Sequence, residues 1–185
     1  MLGARGTREN HLNRDVAGTE RAADLRHMRE IAAFAARSMR TRSPRPFGAA
    51  IVDTRSGKTL LRALNAVRQE TDPSAHAEVR AIRLAARKIK AVSLAGYTLY
   101  STCEPCPMCM SAALWAGLDR VVYGATIGDA NRHCNQIRIP AREVARRGDM
   151  RCVVEGPLER AACTALFTHP RMLKAFRTWT TRKRS

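Results

Sequence analysis

Two cysteines that lie three residues apart are the first residues whose type and spacing suggest chemistry. Cys106-Pro107-Met108-Cys109 opens a segment predicted to be helical, so both sulfurs face one side and can share a metal ion. The free amides and the positive dipole at a helix start favour the thiolate, which is the form that binds zinc. Redox pairs and structural half-sites have the same spacing, so this pair alone does not define a function.

His76 offers the nitrogen ligand that such a pair lacks. One histidine and two cysteines leave the fourth tetrahedral position of zinc open for water, as a catalytic site requires. The alternative is a closed structural site with Cys103 as the fourth ligand. Glu104 and Pro105 separate Cys103 from the pair, and a closed site would leave the nearby Glu78 without a purpose. We therefore favour an open zinc site.

Glu78, two residues after His76, indicates hydrolysis. Zinc lowers the pKa of a water ligand toward neutrality, and a carboxylate within reach can accept that proton and later return it to a departing amine. In the absence of the cysteines, a glutamate in the first turn of a helix would be explained by the helix dipole alone.

The elements that would position these residues alternate between helices and strands, which predicts an α/β fold with partly parallel pairing. Thr19 is the expected N-cap of a first core helix that continues to about Met39, and residues 1–18 are expected to be a flexible leader. The expected strands are 47–52, 59–64, 97–101, 120–125 and 150–154, the first two forming a hairpin. The expected later helices are 75–89, 105–116, 142–147, 158–166 and 171–179.

Composition and charge limit the other possibilities. No stretch is long and apolar enough for a signal peptide or a membrane span, so we expect a soluble cytoplasmic protein without membrane association. Clustered cysteines in such a chain favour a metal over disulfides. The net charge of +17 would suit a nucleic acid partner, but the basic residues are spread along the chain, which is typical of a solvated surface.

The motif His76-Ala77-Glu78, followed by Pro105-Cys106-Pro107-Met108-Cys109, resembles the signature of the cytidine deaminase-like zinc deaminases. The resemblance covers about 47–129, and the stretches DPSAHAEVRAIR and LYSTCEPCPMCMSAALWAG are similar to the branch that contains bacterial guanine deaminases and related nucleoside deaminases. It implies a three-layer αβα sandwich with a five-stranded mixed sheet, one Zn²⁺ per subunit and a homodimer. We accordingly expect a deaminase domain over 19–168, followed by a basic C-terminal helix or tail over 169–185.

The same resemblance implies several substrate contacts. Asn65 would bond the substrate ring, the backbone amide of Ala77 would donate to a ring carbonyl, and Trp115 and Asp129 would face the substrate. Without the resemblance, Asn65 could be a turn former, Trp115 a core residue and Asp129 a turn acid. Phe47 could shape the pocket floor together with Gly48, although packing is its more ordinary role. His133 and Cys134 offer too few ligands for a second metal site.

Our functional hypothesis from the sequence is the hydrolytic deamination of a free purine base, with guanine as the first choice, giving xanthine and ammonia. A tRNA-specific adenosine deaminase is the main alternative, and the charge favours it. The segments Ser101-Thr102-Cys103-Glu104 and 125–129 differ from those usual in that branch. Cytosine, triazine and pterin deamination stay open. A zinc-binding nucleic acid module without catalysis is the non-enzymatic alternative, and it would not need Glu78.

Overall fold

A five-stranded mixed sheet forms the centre of the protein. The computed structural model describes the backbone of residues 5–179 and the side chains from residue 18 to residue 179. The strands are β1 (Gly48–Asp53), β2 (Thr59–Leu64), β3 (Tyr97–Cys103), β4 (Arg120–Ala125) and β5 (Val153–Glu155), in the order β2-β1-β3-β4-β5. β1 runs antiparallel to both β2 and β3, whereas β3, β4 and β5 are parallel. The predicted five-stranded mixed sheet is therefore confirmed.

Eight helices surround this sheet in the described part of the chain. They are α1 (Arg5–Ser38), α2 (Val67–Glu70), α3 (Ala77–Ile89), α4 (Pro107–Trp115), α5 (Ile127–Asn131), α6 (Ala141–Gly148), α7 (Arg160–Thr168) and α8 (Pro170–Phe176). Within the described residues, no helix combines the length and the apolar character needed to cross a bilayer.

Each face of the sheet has its own hydrophobic core, because successive strand residues point to opposite sides. In β1, Ala50 and Val52 join the core under α1, α7 and α8, while Ala49 and Ile51 join the core under α3, α4 and α6. Two helical layers therefore enclose one sheet, as the αβα prediction requires.

Strand β3 holds this arrangement through polar contacts as well as packing. Tyr100, on the α1 side, donates a hydrogen bond from its hydroxyl to Asp24 Oδ1 at 2.5 Å. Arg120 at the start of β4 also bonds Asp24, with 2.9 Å between Nη2 and Oδ2. Both partners of Asp24 come from the sheet, so this buried carboxylate ties α1 to two neighbouring strands.

The prediction for the first helix was wrong at its N-terminal end. Thr19 is not an N-cap, because α1 already begins at Arg5 and passes through Thr19 without a break. The segment before residue 19 has no apolar periodicity, so the pattern gave no sign of helix there, although none of its residues is a proline. Residues 1–4 of the expected leader and 180–185 of the expected tail lie outside the described residues, and the domain limits stay a prediction.

Candidate metal centre and its cavity

His76 and Cys106 both occupy the N-cap positions of helices on the same side of the sheet. His76 precedes α3 and Cys106 precedes α4, each with extended backbone angles. Pro107 at the first position of α4 fits a helix start, where no amide hydrogen is needed. Neither N-cap side chain makes a capping hydrogen bond, so the imidazole and the thiol are both available to a ligand.

The structure brings the three expected metal ligands together. His76 Nδ1 lies 3.8 Å from Cys106 Sγ and 3.5 Å from Cys109 Sγ, and the two sulfurs are 3.6 Å apart. Tetrahedral zinc with ordinary Zn–N and Zn–S bonds needs donor separations of about 3.5–3.8 Å. The donor set and its spacing therefore fit zinc.

Cys103 does not complete a four-ligand site. Among the described residues, the group of closely spaced donors consists of His76, Cys106 and Cys109. The Cys103 thiol instead donates to the Thr126 carbonyl oxygen at 3.8 Å. Within the described residues the group supplies three protein donors, which is the number typical of a catalytic zinc site.

The pKa values of Cys106 and Cys109 are shifted in opposite directions. The hydrogen bond between Cys106 and Cys109, and after it the hydrogen bond with His76, lowers the pKa of Cys106 to about 4. The same bond, together with burial, raises the pKa of Cys109. The hydrogen bond to Cys106 also raises the pKa of His76. Cys106 is thus a thiolate at neutral pH even before a metal binds.

Glu78 lies beside this group and is almost completely buried. Its Oε1 accepts a hydrogen bond from Ser101 Oγ at 3.0 Å, and its Oε2 lies 3.6 Å from Cys109 Sγ. Burial raises the pKa of this carboxyl, although the charge of His76 opposes the shift. A carboxyl held in this way can exchange a proton with a group at the metal position. Ser101 was not predicted as a site residue, because a serine within a strand gives no signal in the sequence.

One cavity of about 520 Å³ opens onto the metal group. This volume is within the range typical of sites for small organic ligands. His76, Cys106 and Glu78 line the cavity, together with Asn65, which follows β2. Asn65 Oδ1 accepts a hydrogen bond from Val67 N at 3.0 Å, which fixes the side chain so that its amide group remains available as a donor.

Residues from the C-terminal end of the described chain contribute to the lining of this cavity. Ala175, Thr178 and Trp179 belong to its lining, and Arg68 donates to the hydroxyl and the carbonyl oxygen of Thr178 at 3.1 and 3.2 Å. The Trp179 ring lies 6.3 Å from that of Phe47, centre to centre. The sequence alone gave no indication of this contact, because it joins segments more than a hundred residues apart.

Phe47, Ala77 and Gly48 were also predicted to lie near the substrate. Phe47 lines the cavity and also packs against Phe167, so its expected packing role and its expected pocket role are combined. The Ala77 side chain is buried beneath α3, but its backbone N–H, in the first turn, has no acceptor within the helix. A Cβ atom at Gly48 would lie 3.3 Å from the side chain of Ala35, so this glycine allows α1 to pack closely against β1.

Trp115 and Asp129 do not line the cavity. Trp115 ends α4 and is 84% exposed, so the core role considered for it is wrong. Asp129 is buried within a capping box at the start of α5, where Thr126 and Asp129 bond each other's backbone and side chain. It also receives two hydrogen bonds of 2.8 Å from Arg160, which occupy both carboxylate oxygens.

This pairing leads to a prediction about stability. Replacing Asp129 with asparagine should lower the free energy of unfolding by about 1–2 kcal/mol at pH 7, because charge-assisted hydrogen bonds are lost. Hydrogen bonds from Arg160 hold the pKa of Asp129 well below its ordinary value. The pairing with Arg160 therefore contributes its full stabilisation above about pH 3.9, which is the pKa of an aspartate in the unfolded chain. This contribution declines as the pH falls toward the lower pKa that Asp129 has in the folded protein.

Urea unfolding at pH 7 and pH 3 measures this effect, and the difference between wild type and Asp129→Asn should shrink at pH 3. Asp149→Asn is the matched control, because Asp149 is exposed at the C-cap of α6 and should change stability by less than about 0.5 kcal/mol. Equal stability of wild type and Asp129→Asn at both pH values would contradict the assigned role.

Glu104 is a further cavity residue whose role sequence reasoning did not identify. Its Oε2 accepts from Ile127 N and its Oε1 from Ala141 N, both at 3.0 Å. The carboxylate thus anchors the starts of α5 and α6 next to the metal group, and both of its oxygens are already in use.

Comparisons with known proteins agree with this geometry. A 46% identical guanine deaminase from Bacillus subtilis (strain 168) matches over 85 residues, which is 46% of this chain and 53% of that protein. A tRNA-specific adenosine deaminase from Agrobacterium fabrum is 39% identical over 103 residues, 56% of this chain and 66% of that protein. The chain therefore matches between about half and two thirds of the length of these relatives.

A solved structure of guanine deaminase from Nitrosomonas europaea superimposes with a TM-score of 0.68 at 24% identity, over 80% of this chain and 81% of that one. This likeness supports the fold. The family model for the cytidine and deoxycytidylate deaminase zinc-binding region matches residues 21–125, which include every member of the metal group and Glu78. Because this match spans more than half of the chain, the protein belongs to the cytidine and deoxycytidylate deaminase zinc-binding family.

Proposed function

We propose that the protein is a zinc-dependent hydrolytic deaminase of a purine ring, with guanine as the first candidate. One observation carries the proposal: Glu78 lies beside a group of three metal donors, and both open onto the same cavity. A structural zinc site would have a fourth protein ligand and would not need the adjacent carboxylate.

His76, Cys106 and Cys109 are the proposed zinc ligands, with one ion per chain. When bound, zinc supplies a Lewis acid that lowers the pKa of a water ligand toward neutrality. The low pKa of Cys106 keeps this ligand as a thiolate, and the two helix starts at the site stabilise its negative charge.

Glu78 is the proposed proton carrier. Its carboxylate accepts a proton from water while the water oxygen bonds to the amino-bearing carbon of the ring. The same carboxyl then donates a proton to the amino group, the carbon–nitrogen bond breaks, and ammonia leaves with a carbonyl left on the ring. One water is consumed for each ammonia released. Ser101 acts as a positioning residue by holding Oε1, so that Oε2 is presented toward the metal group.

Asn65, the Ala77 amide and Phe47 are the proposed substrate contacts. The free amide group of Asn65 can donate to a ring nitrogen or carbonyl oxygen, and the Ala77 N–H can donate to a carbonyl beside the reacting carbon. Phe47 supplies an apolar surface for the ring face. These contacts suit a planar heterocycle that carries acceptors.

Guanine is placed first for two reasons. The similarity to the Bacillus subtilis guanine deaminase reaches 46% identity over 85 residues. The chain's own Ala175, Thr178 and Trp179 also line the cavity, which favours a small ligand over a nucleic acid loop. The second candidate is adenosine in tRNA, which the net charge of +17 and the similarity to the Agrobacterium fabrum enzyme favour.

Ammonia release from the zinc-loaded protein tests the proposal. The substrates are guanine, adenine and cytosine, their nucleosides, and a tRNA anticodon stem-loop with adenosine at the wobble position. We expect ammonia and the oxo product from the guanine ring. Turnover of the stem-loop alone would support the second candidate, and zinc binding without turnover of any substrate would contradict a deaminase.

A further inference from the structure

The cavity has an uneven distribution of charge. Arg42, Arg45 and Arg68 line it, whereas its two carboxylates are Glu78 and Glu104. Glu78 lies beside the metal group and accepts a hydrogen bond from Ser101, and both oxygens of Glu104 accept backbone hydrogen bonds. The carboxylates in the lining are thus committed to other groups and do not neutralise the arginines.

Arg45 is the half-buried one of the three arginines, and its side chain has no hydrogen-bond or ion-pair partner among the described residues. Its Nε is buried without a hydrogen bond, and its guanidinium takes part in no ion pair within the described residues. Arg68, by contrast, is bound to Thr178, and Arg42 is exposed to solvent. Burial and the nearby charge of Arg80 lower the pKa of Arg45. A half-buried cation in this position is costly unless an anion joins it.

The backbone presents Arg45 in a fixed place. Pro44 and Pro46 flank it, which restricts the backbone on both sides. Ser38 at the end of α1 donates from its hydroxyl to the Arg45 carbonyl oxygen and accepts from Arg45 N, each at 2.9 Å. An arginine held so firmly, yet without a partner among the described residues, is organised to receive a ligand.

We propose that Arg45 forms an anion subsite that binds the phosphate of a purine mononucleotide while its base lies at the metal group. This inference rests on the proposed function for the nature of the ring, and it replaces the free base expected from the sequence with a phosphorylated nucleoside. A guanidinium matches phosphate because its planar fork can donate two parallel hydrogen bonds.

A mononucleotide fits the site better than a polynucleotide. Arg45 lines the same cavity as Thr178 and Trp179, and Arg68 bonds Thr178 there. A terminal phosphate needs room for one end of the ligand only, whereas a phosphodiester would require the strand to continue on both sides of it. The cavity volume also suits a ligand larger than a single base.

Binding to the full-length, zinc-loaded Glu78→Gln protein tests the subsite without turnover. Isothermal titration with guanosine monophosphate and guanosine should show the nucleotide binding at least about tenfold more tightly. Adding Arg45→Gln should weaken binding of the nucleotide by roughly ten- to hundredfold, the size expected for a charge-assisted hydrogen bond, and that of guanosine by less than about threefold. Arg45→Lys should recover only part of the loss, because it restores the charge without the fork.

Arg40→Gln is the matched control, because it removes the same charge from an exposed position outside the cavity and should leave both affinities within about twofold. Adenosine and cytidine, each with its monophosphate, are titrated in parallel. The inference is overturned if neither purine pair shows a phosphate preference that depends on Arg45, or if an oligonucleotide binds more tightly than every mononucleotide. A preference that depends on Arg45 in a protein that releases no ammonia would instead contradict the proposed function alone.

Discussion

Glu78→Gln is expected to reduce kcat for the accepted substrate by roughly 10²–10⁴-fold, with zinc content and thermal stability close to those of the wild type. Glutamine keeps the shape of the side chain and can still accept the hydrogen bond that Ser101 donates to Oε1. It cannot take a proton from water or return one to the leaving amino group. The loss should therefore appear in turnover and leave metal binding unaffected.

Ammonia release at saturating substrate, together with metal analysis of the same samples, measures this effect. Glu143→Gln provides the control, since Glu143 lies on α6 outside the cavity and bonds Arg146 and Arg147 there. Its activity should match that of the wild type. If Glu78→Gln retained both zinc and full turnover, the proton path through this carboxyl would be refuted.

Cys106→Ala is expected to weaken zinc binding by more than roughly a hundredfold and to abolish turnover. The change removes one of three protein donors, and the sulfur lost is the one that is already a thiolate at neutral pH. Loss of a ligand should exceed the roughly 10–100-fold effect typical of residues that only support a ligand. Zinc per chain after dialysis against a weak chelator, with circular dichroism to verify folding, measures the result.

Two other cysteines serve as controls for this experiment. Cys134 and Cys103 also line the cavity, but neither belongs to the metal group. Cys134→Ala and Cys103→Ala should both retain one zinc per chain. If Cys103→Ala lost its zinc, a closed site with four protein ligands would replace the open site described above.

The metal group was predictable because its chemistry is local in sequence. The Cys106 and Cys109 spacing and the His76 and Glu78 spacing each fix side chains within a single helical turn. Hydrophobic patterns likewise identified every strand to within a few residues, since alternation on a sheet follows directly from the chain. The prediction that His76 joins the two cysteines came from the residue types, and the family resemblance supported it.

Features that depend on distant partners were not predictable. Asp129 was expected near the substrate, but Arg160, thirty-one residues away, holds it elsewhere. Trp115 has a residue type that usually packs, and nothing local indicated that it would be exposed. Arg45, in contrast, was not singled out, because in the sequence it is one of many basic residues. Only the fold shows that its Nε is buried without a partner among the described residues.

The register of strand β3 determines polar contacts on both faces of the sheet. Adjacent residues of this strand serve opposite layers: Tyr100 bonds Asp24 on one face, and Ser101 bonds Glu78 on the other. Displacing the strand by one position would exchange the two faces, leaving Asp24 without its phenol and Glu78 without its hydroxyl. A chain with the wrong register would thus lose the buried hydrogen bond to Asp24 and the positioning of Glu78 at the same time. A molecule that can deaminate its substrate is therefore one in which β3 has paired in the correct register.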